Sequence, residues 1–222
     1  MEILITSKTH KGKAACVGGL IVSNNRFVRL LNPGNWDQYA DTDFDIGDIW
    51  DINFTEREDV DPPHIEDVII STKKFLRKVD NFTNFIENSG IQIFRGSPNN
   101  IFNGLLGWTG SGSGYIENRN NLPQNSVGFW ISDKDLILDN DEKYYLYPTP
   151  NSFSRAKRFR YVGFEPKKQI IPSGTLMRIS LARWWKPEDT DMNERCYLQL
   201  SGWYDLQNTV QRSDDKNDDL PF

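Results

Sequence analysis

The sequence predicts a mainly β protein with two small five-stranded barrels, joined by a helix and a Gly-rich loop and followed by a disordered acidic tail. Three observations support this fold class. Short apolar runs alternate with clusters of turn-forming residues along most of the chain. Aromatic residues, which favour strands, make up 13% of the composition. With 222 residues, the chain is long enough for two domains of ordinary size.

Residues 1 to 72 form the first predicted barrel. Five β-like runs occur there, namely EILITSKT, ACVGGLIV, RFVRLLN, DIWDINFTE and HIEDVIIS. The stretches between them, HKGK, SNN, NPGN and DVDPP, consist largely of residues that favour turns. Five strands in so short a segment indicate a small barrel or sandwich.

Residues 73 to 124 are predicted to connect the two barrels. Apolar residues at helical spacing predict one helix over residues 73 to 88, which Ser89 and Gly90 end. The stretch GLLGWTGSGSGYIENRNN follows at residues 104 to 121 and holds five glycines. Such a composition predicts a flexible loop that takes no part in a core.

Residues 125 to 206 form the second predicted barrel, and residues 207 to 222 form the acidic tail. Strand-like runs return as VGFWIS, DLIL, KYYLYP, RFRYVGFE, TLMRISLARWW and RCYLQLSGWYDL. Of the adjacent Trp184 and Trp185, one is expected in the core and the other at the surface, because neighbouring strand residues point to opposite faces. The sequence shows no clear repeat period, although both halves have about five strands, which is compatible with two diverged copies of one fold.

A five-stranded barrel with a helix after its middle strands is the arrangement of the OB fold, which binds oligonucleotides. Four segments of the first half, SKTHKGKAACVGGL, NRFVRLLNPG, FDIGDIWDI and PPHIEDV, resemble the dual OB-containing domain family of bacterial proteins. The resemblance extends over residues 1 to 206. It implies two OB folds and a role with nucleic acid, in a family whose members are often found near anti-phage or conflict genes.

The charge distribution permits a local nucleic-acid site in an acidic chain. The net charge is −5, but residues 213 to 222 hold four aspartates against one lysine. The remainder is nearly neutral and can hold a basic groove. The lack of a long apolar run predicts no membrane span. The two cysteines, Cys16 and Cys196, show no metal-binding spacing and predict reduced thiols in the cytoplasm.

Binding of single-stranded nucleic acid requires cations for the phosphates and rings for base stacking. The segment SRAKRFRYVGF, residues 154 to 164, offers both. In a strand, Arg158 and Arg160 share one face and Phe159 and Tyr161 the other, so the arginines are predicted phosphate contacts and Phe159 a core residue. The candidate set is Arg155, Lys157, Arg158, Arg160 and Tyr161, with Trp108 from the Gly-rich loop, Lys11 and Lys13 from the first loop, and Lys73 and Lys74 from the start of the helix.

The last five residues, Asp218, Asp219, Leu220, Pro221 and Phe222, resemble the C-terminal tip of bacterial single-stranded DNA-binding proteins. A terminal Phe offers a ring for an apolar pocket and a carboxylate for an Arg or Lys. The proline limits the backbone before it, and the aspartates add attraction to a basic rim. The resemblance implies that this tip recruits genome-maintenance proteins. The acidic tail is also expected to compete with nucleic acid for the basic groove.

The leading hypothesis is a single-stranded DNA-binding protein that uses no cofactor, metal or catalytic site. One alternative is an anti-phage defence adaptor or sensor whose OB modules bind a nucleotide signal or a modified nucleic acid. Another is a metal-dependent nuclease, because His64, Glu66 and Asp67 are good metal ligands. In an extended strand only His64 and Glu66 share a face, so hydrogen bonding across strands is the favoured role of these residues.

Overall fold

The computed structural model describes residues 1–149, 155–188 and 190–204. The first sheet contains β1 (Glu2–Lys11), β2 (Ala14–Ile21), β3 (Phe27–Leu31), β4 (Gln38–Tyr39), β5 (Asp48–Glu56) and β6 (Asp67–Lys78). Helix α1 (Phe82–Asn88), β7 (Ile93–Arg95), a 3-10 segment (Pro98–Gly104), β8 (Gly107–Trp108) and β9 (Gly114–Ile116) follow. The remaining strands are β10 (Val127–Ile131), β11 (Leu136–Leu138), β12 (Tyr144–Tyr147), β13 (Lys157–Tyr161), β14 (Ile170–Ile171), β15 (Leu176–Leu181) and β16 (Cys196–Tyr204).

The first sheet is a closed five-stranded barrel. Its order is β1-β5-β6-β3-β2, and β2 pairs back to β1, while the short β4 pairs with Ala14 and Ala15 at the start of β2. The β3–β6 pair is parallel and the other pairs are antiparallel. The predicted five-stranded barrel in the first half is therefore confirmed. Its first four predicted strands begin and end within two residues of the observed ones, whereas β6 continues to Lys78, beyond the predicted end of the barrel at residue 72.

The second sheet has the order β14-β11-β12-β13-β16-β15-β10-β7. Its central parallel pair, β13–β16, corresponds to β3–β6 of the barrel. Strands β10 and β11 follow each other in the chain, with β10 paired to β15 and β11 paired to β12. When β10 and β11 are counted as one bent strand, the strand order repeats that of the first barrel.

An apolar cluster joins the two sheets. The barrel contributes Leu4, Leu20, Phe27 and Ile49, helix α1 contributes Ile86, and the second sheet contributes Phe129, Leu176 and Tyr204. Strand β1 serves both sides, because Ile3 and Ile5 point into the barrel core while Leu4 points into this cluster. Helix α1 lies over the same contact, where the Phe82 ring stacks on Tyr204 at 4.1 Å between centroids.

The helix predicted over residues 73 to 88 is wrong in its first half. Strand β6 continues to Lys78, and only Phe82–Asn88 is helical. The reason is long-range pairing, since β6 lies antiparallel to β5 along its whole length. Lys74 pairs opposite Asp51 and Lys78 opposite Asp48, so acidic and basic side chains meet across the strands. The lysines predicted at a helix start therefore lie on a strand of the first barrel.

The Gly-rich stretch is packed, which corrects the prediction that it takes no part in a core. Strands β8 and β9 form a hairpin within it, and β9 pairs with β16. Ile116 is buried in the core of the second sheet, with Leu105 and Leu106 against that core. Glycine is required at Gly112, where φ is +87° and a Cβ would collide with the carbonyl of Ala156.

Within the described ranges, no helix is both long and apolar enough to cross a membrane. The predicted acidic tail, residues 207 to 222, lies outside the described residues, and so does its tip. Both cysteines are free thiols, with Cys16 half-buried and Cys196 buried. Burial raises the pKa of the Cys196 thiol to about 12.

The shared cluster predicts that truncating Phe129 destabilises the whole fold. Phe129 is fully buried and its ring contacts those of Phe27, Phe82 and Tyr204. We expect Phe129→Ala to lower the free energy of unfolding by about 3–5 kcal/mol in urea denaturation. The control is Ile137→Ala on β11, where the side chain is 48% exposed; it should cost about 0.5 kcal/mol or less. Equal losses for both variants would contradict the shared core.

Candidate nucleic-acid interface

Strand β13 separates its arginines from its aromatic residues, as the alternation predicts. Phe159 is buried in the core of the second sheet, and Arg158 and Arg160 lie on the outer face. Tyr161 also lies on the inner side, where its ring packs 4.9 Å from Trp203 and its hydroxyl donates to the carbonyl of Glu165. Tyr161 is therefore not available to a base, which corrects its place among the candidate binding residues.

The Gly-rich hairpin orients Arg158. Its Nε donates to Ser113 Oγ at 2.8 Å, and its Nη2 donates to Ser111 Oγ at 2.9 Å. The guanidinium also lies 4.6 Å from the centroid of the Tyr144 ring. Two neutral hydroxyls and a ring hold this cation in place, and none of them neutralises its charge.

A groove of about 470 Å³ runs along this outer face. We name it the arginine groove, and it is lined by Tyr144, Arg158, Arg160, Trp185, Tyr197 and Gln199, among others. Trp185 is 55% exposed, whereas Trp184 packs against the core of the second sheet and donates its Nε1–H to the carbonyl of Pro62 at 2.8 Å. The expected division between the two tryptophans is thus resolved in favour of Trp185 at the surface.

Trp185 and Tyr197 of the groove form a row of aromatic rings with a third residue, Tyr115. The ring centroid of Trp185 lies 6.1 Å from that of Tyr197, which in turn lies 6.3 Å from that of Tyr115. The guanidinium of Arg195 stacks 4.0 Å from the Tyr115 centroid. Sequence reasoning missed Tyr115 and Tyr197. Alternation in CYLQL separates Tyr197 from the buried Leu198, but only the β9–β16 pairing brings the two tyrosines together.

The groove carries positive charge that the protein does not compensate locally. Among the described residues, no carboxylate pairs with Arg158 or Arg160. Partly solvated arginines without acidic partners create a local positive potential, even in a chain of negative net charge. Such a surface attracts phosphate groups, and the neighbouring rings offer flat apolar faces.

Trp108 and Lys157 lie on the opposite side of β13 and contact each other. The Lys157 Nζ lies 4.1 Å from the Trp108 ring centroid and also bonds Asn99 Oδ1. Burial lowers the pKa of the Lys157 ammonium. The Trp108 ring meets Phe159 edge-on, so it packs against the core of the second sheet. The prediction of a freely available ring at Trp108 is therefore wrong.

The other five candidate cations do not line the arginine groove, so they do not form one continuous basic surface with it. Lys11 pairs with Asp37 at 2.8 Å, and Lys73 pairs with Asp43. Lys13 and Lys74 are exposed on the first barrel, and Arg155 is exposed just before β13. Arg155 alone among these five is next to a groove-lining strand. The acidic partners reduce the phosphate attraction of Lys11 and Lys73.

A second concentration of polar residues is the bridging segment, residues 61 to 67, which leads into β6 of the barrel and contacts residues of the second half of the chain. His64 is buried, and its Nε2 bonds the carbonyl of Leu181 at 3.2 Å. Glu66 is also buried and accepts from Ser126 N at 2.6 Å and from Ser126 Oγ at 2.8 Å. Burial lowers the pKa of His64 and raises that of Glu66.

Asp67 is the centre of this segment. Its carboxylate accepts from Arg29 at 2.5 and 2.7 Å, from Arg57 at 3.0 Å and from Arg183 at 2.8 Å. Burial alone would raise the pKa of Asp67, but the Arg29 hydrogen bond and the nearby arginines lower it overall. One buried carboxylate therefore links arginines of the barrel to an arginine that follows β15.

His64, Glu66 and Asp67, the residues of the metal-dependent nuclease hypothesis, are all engaged in contacts within the protein. Each of the three side chains engages a different partner, namely a carbonyl, a serine and three guanidinium groups. Over the described part of the chain, no group of three or more His, Cys, Asp or Glu side chains is arranged to hold a metal ion. The sequence favoured hydrogen bonding for these residues, and the contacts provide it. The partners come from the barrel (Arg29 and Arg57) and from β15 and its neighbouring segments (Leu181, Arg183 and Ser126).

The closed barrel and its strand order define an OB-fold protein, a class whose barrels bind oligonucleotides and oligosaccharides. A family model described as the dual OB-containing domain matches residues 1–203, and the chain belongs to that family. No curated protein and no solved structure matches the chain. The resemblance predicted from the first-half segments is confirmed.

The three arginines around Asp67 lead to a prediction for Asp67→Asn. This variant should destabilise the protein, because the three guanidinium groups lose their shared carboxylate. We expect a loss of about 3–5 kcal/mol in urea denaturation at neutral pH. A carboxyl group whose pKa is lowered by folding contributes stability that is lost as the pH falls through that lowered pKa. The variant should therefore lose less stability than the wild type on acidification.

The matched control is Asp43→Asn, which removes the carboxylate of an exposed pair with Lys73. Exposed pairs contribute about 1 kcal/mol or less, so this variant should remain close to the wild type. If Asp67→Asn and Asp43→Asn had the same stability and acid response, Asp67 would not be the central link.

Proposed function

We propose that this protein binds single-stranded nucleic acid, and single-stranded DNA in particular, along the arginine groove of the second sheet. The observation that carries the proposal is the uncompensated pair Arg158 and Arg160 beside the exposed ring of Trp185. The arginines attract phosphates, and the rings of Trp185 and Tyr197 accept bases by stacking. Each stacked base contributes about 1–3 kcal/mol.

We propose further that the second sheet is the second OB barrel of the chain. Its strand order supports this assignment, with β10 and β11 in the position of β1. Strands β12 and β13 then correspond to strands 2 and 3 of the OB fold, whose face commonly binds oligonucleotides. The arginine groove lies on that pair of strands, because Tyr144 pairs opposite Arg160 and Leu146 opposite Arg158.

The proposed second role is recruitment of genome-maintenance proteins through the tip, residues 218 to 222. The support is its chemistry. Leu220 and Phe222 are apolar side chains in an acidic segment, where a tail that only adds solubility needs neither. Pro221 restricts the backbone and reduces the entropy lost on docking. The aspartates provide salt-sensitive attraction to a basic partner surface.

The groove predicts that cation and ring variants weaken binding in different ways. A labelled oligothymidylate is titrated by fluorescence anisotropy at several salt concentrations. Arg160→Gln should weaken binding and reduce the slope of log K against log salt by about 0.7, because one phosphate contact is lost. Trp185→Ala should cost about 1–3 kcal/mol with an unchanged slope.

Matched controls lie on the first barrel. Arg77→Gln removes an exposed arginine that pairs with Glu2, and Trp36→Ala removes a ring that is 73% exposed. Both should bind as the wild type does. The proposal fails if the groove variants and the barrel variants have the same affinity, or if the wild type shows no salt-dependent binding.

The tip predicts loss of partner recovery in a pull-down from a nuclease-treated bacterial lysate. Nuclease treatment removes partners that are bridged only by nucleic acid. Phe222→Ala should abolish recovery of helicases, nucleases or recombination mediators, whereas Asn208→Ala, in the tail but outside the tip, should retain it. Equal recovery of these proteins with both variants would refute recruitment by the tip.

A further inference from the structure

A cavity of about 240 Å³ lies between the first barrel and the second sheet. Its charged lining consists of four cations, Lys11, Arg29, Arg178 and Arg183, and two carboxylates, Glu66 and Asp67. Asp67 is already shared by three guanidinium groups, one of which, Arg57, approaches it from outside the lining. Glu66 accepts from Ser126 N and Oγ, and burial raises its pKa. Lys11 is paired with Asp37, but the three arginines of the lining still outnumber its two carboxylates, so the cavity is positively charged.

Arg178 is the least compensated of these cations. It is 1% exposed, and within the described residues no carboxylate lies at ion-pair distance from it, so Glu66 of the same lining attracts it only from farther away. Its Nη1 makes two long bonds, of 3.4 Å to the carbonyl of Gly128 and 3.3 Å to that of Ile179, and its buried Nε has no acceptor. The rings of Phe27 and Phe129 lie on it at 4.7 and 5.3 Å. A buried cation with such weak acceptors is costly unless an anion compensates it.

Hydroxyl groups complete the lining. Ser180 and Ser201 bond each other at 2.7 Å, and Ser7 lies on β1 across from Gly18. A Cβ at Gly18 would approach Ser7 Oγ to 2.5 Å and Arg178 Nη2 to 3.5 Å, so glycine keeps the space beside the guanidinium open. Guanidinium and hydroxyl donors around a small space are the groups that bind phosphate oxygens.

We propose that this inter-sheet cavity binds a small phosphate-bearing anion, held by Arg178 and Arg183. The volume lies below the about 300–1,000 Å³ of sites for drug-sized ligands, and it suits one phosphate group with a small substituent. Gln199 and Ala182 line both this cavity and the arginine groove. The phosphate therefore belongs either to a free mononucleotide or to the end of a strand that lies in the groove.

Isothermal titration with inorganic phosphate, at constant ionic strength and with chloride as the reference anion, tests the site in the full chain. We expect saturable binding, and a rise in Kd of about tenfold or more in Arg183→Gln, since a charge-assisted bond is lost. Arg183 is a suitable position because its side chain is 40% exposed and Asp67 retains Arg29 and Arg57. Arg77→Gln is the matched control and should bind phosphate as the wild type does.

The source of the phosphate is decided by competition against inorganic phosphate. Thymidine monophosphate represents the free nucleotide, and a 5′-phosphorylated oligothymidylate is compared with its 5′-hydroxyl form. A preference for the phosphorylated strand that disappears in Arg183→Gln would assign the site to strand ends. Competition by the mononucleotide alone would assign it to a free nucleotide.

Three results would overturn the proposal. One is the absence of saturable phosphate binding to the wild type, and a second is an unchanged Kd in Arg183→Gln, whose folding is checked by circular dichroism. The third is competition by neither nucleotide probe. Arg160→Gln, the groove variant, should still bind inorganic phosphate normally, so failure of the cavity and failure of the groove are distinguishable.

Discussion

The shared burial of the bridging segment, residues 61 to 67, is the constraint on which the rest of the molecule depends. Five of its residues bond to residues of the second sheet or of the loops that connect its strands. The pairs are Asp61 with Arg119, the Pro62 carbonyl with Trp184, His64 with the Leu181 carbonyl, Glu66 with Ser126, and Asp67 with Arg183. Several of these groups are polar and buried, so separating the two sheets would leave them without partners. That penalty fixes one arrangement of the sheets more strictly than apolar packing alone does.

This arrangement places both proposed sites next to each other. The inter-sheet cavity exists only because the barrel and the second sheet meet along the bridging segment. The arginine groove lies just beyond it, and Gln199 of β16 is common to the two. The tight Gly-rich hairpin has a defined part in this geometry, because Ser111 and Ser113 hold Arg158 in a position where its charge stays accessible. Arg158, a proposed phosphate contact, is thus held in place by the fold without a ligand, and such preorganisation reduces the cost of binding.

Features that follow from neighbouring residues in the chain could be predicted from the sequence. Features that depend on pairing between residues far apart in the chain could not. Strand alternation correctly separated Arg158 and Arg160 from Phe159, since that requires only the strand itself. Phe75 and its apolar neighbours fit a helical period, yet β5 pairs with them and extends β6 through that region. The partners of the bridging segment could not be predicted, because a contact such as His64 with Leu181 spans 117 residues. The same limit hid Tyr115 and Tyr197, which become neighbours only through strand pairing.

The central claim is that single-stranded nucleic acid lies along the outer face of the second sheet. Ultraviolet crosslinking of oligothymidylate to the full chain, with the crosslinked residues mapped by mass spectrometry, tests it most directly. We expect crosslinks at Trp185, Tyr197 and Tyr144. Crosslinks confined to Trp36 and Tyr39, the exposed rings of the first barrel, would contradict it.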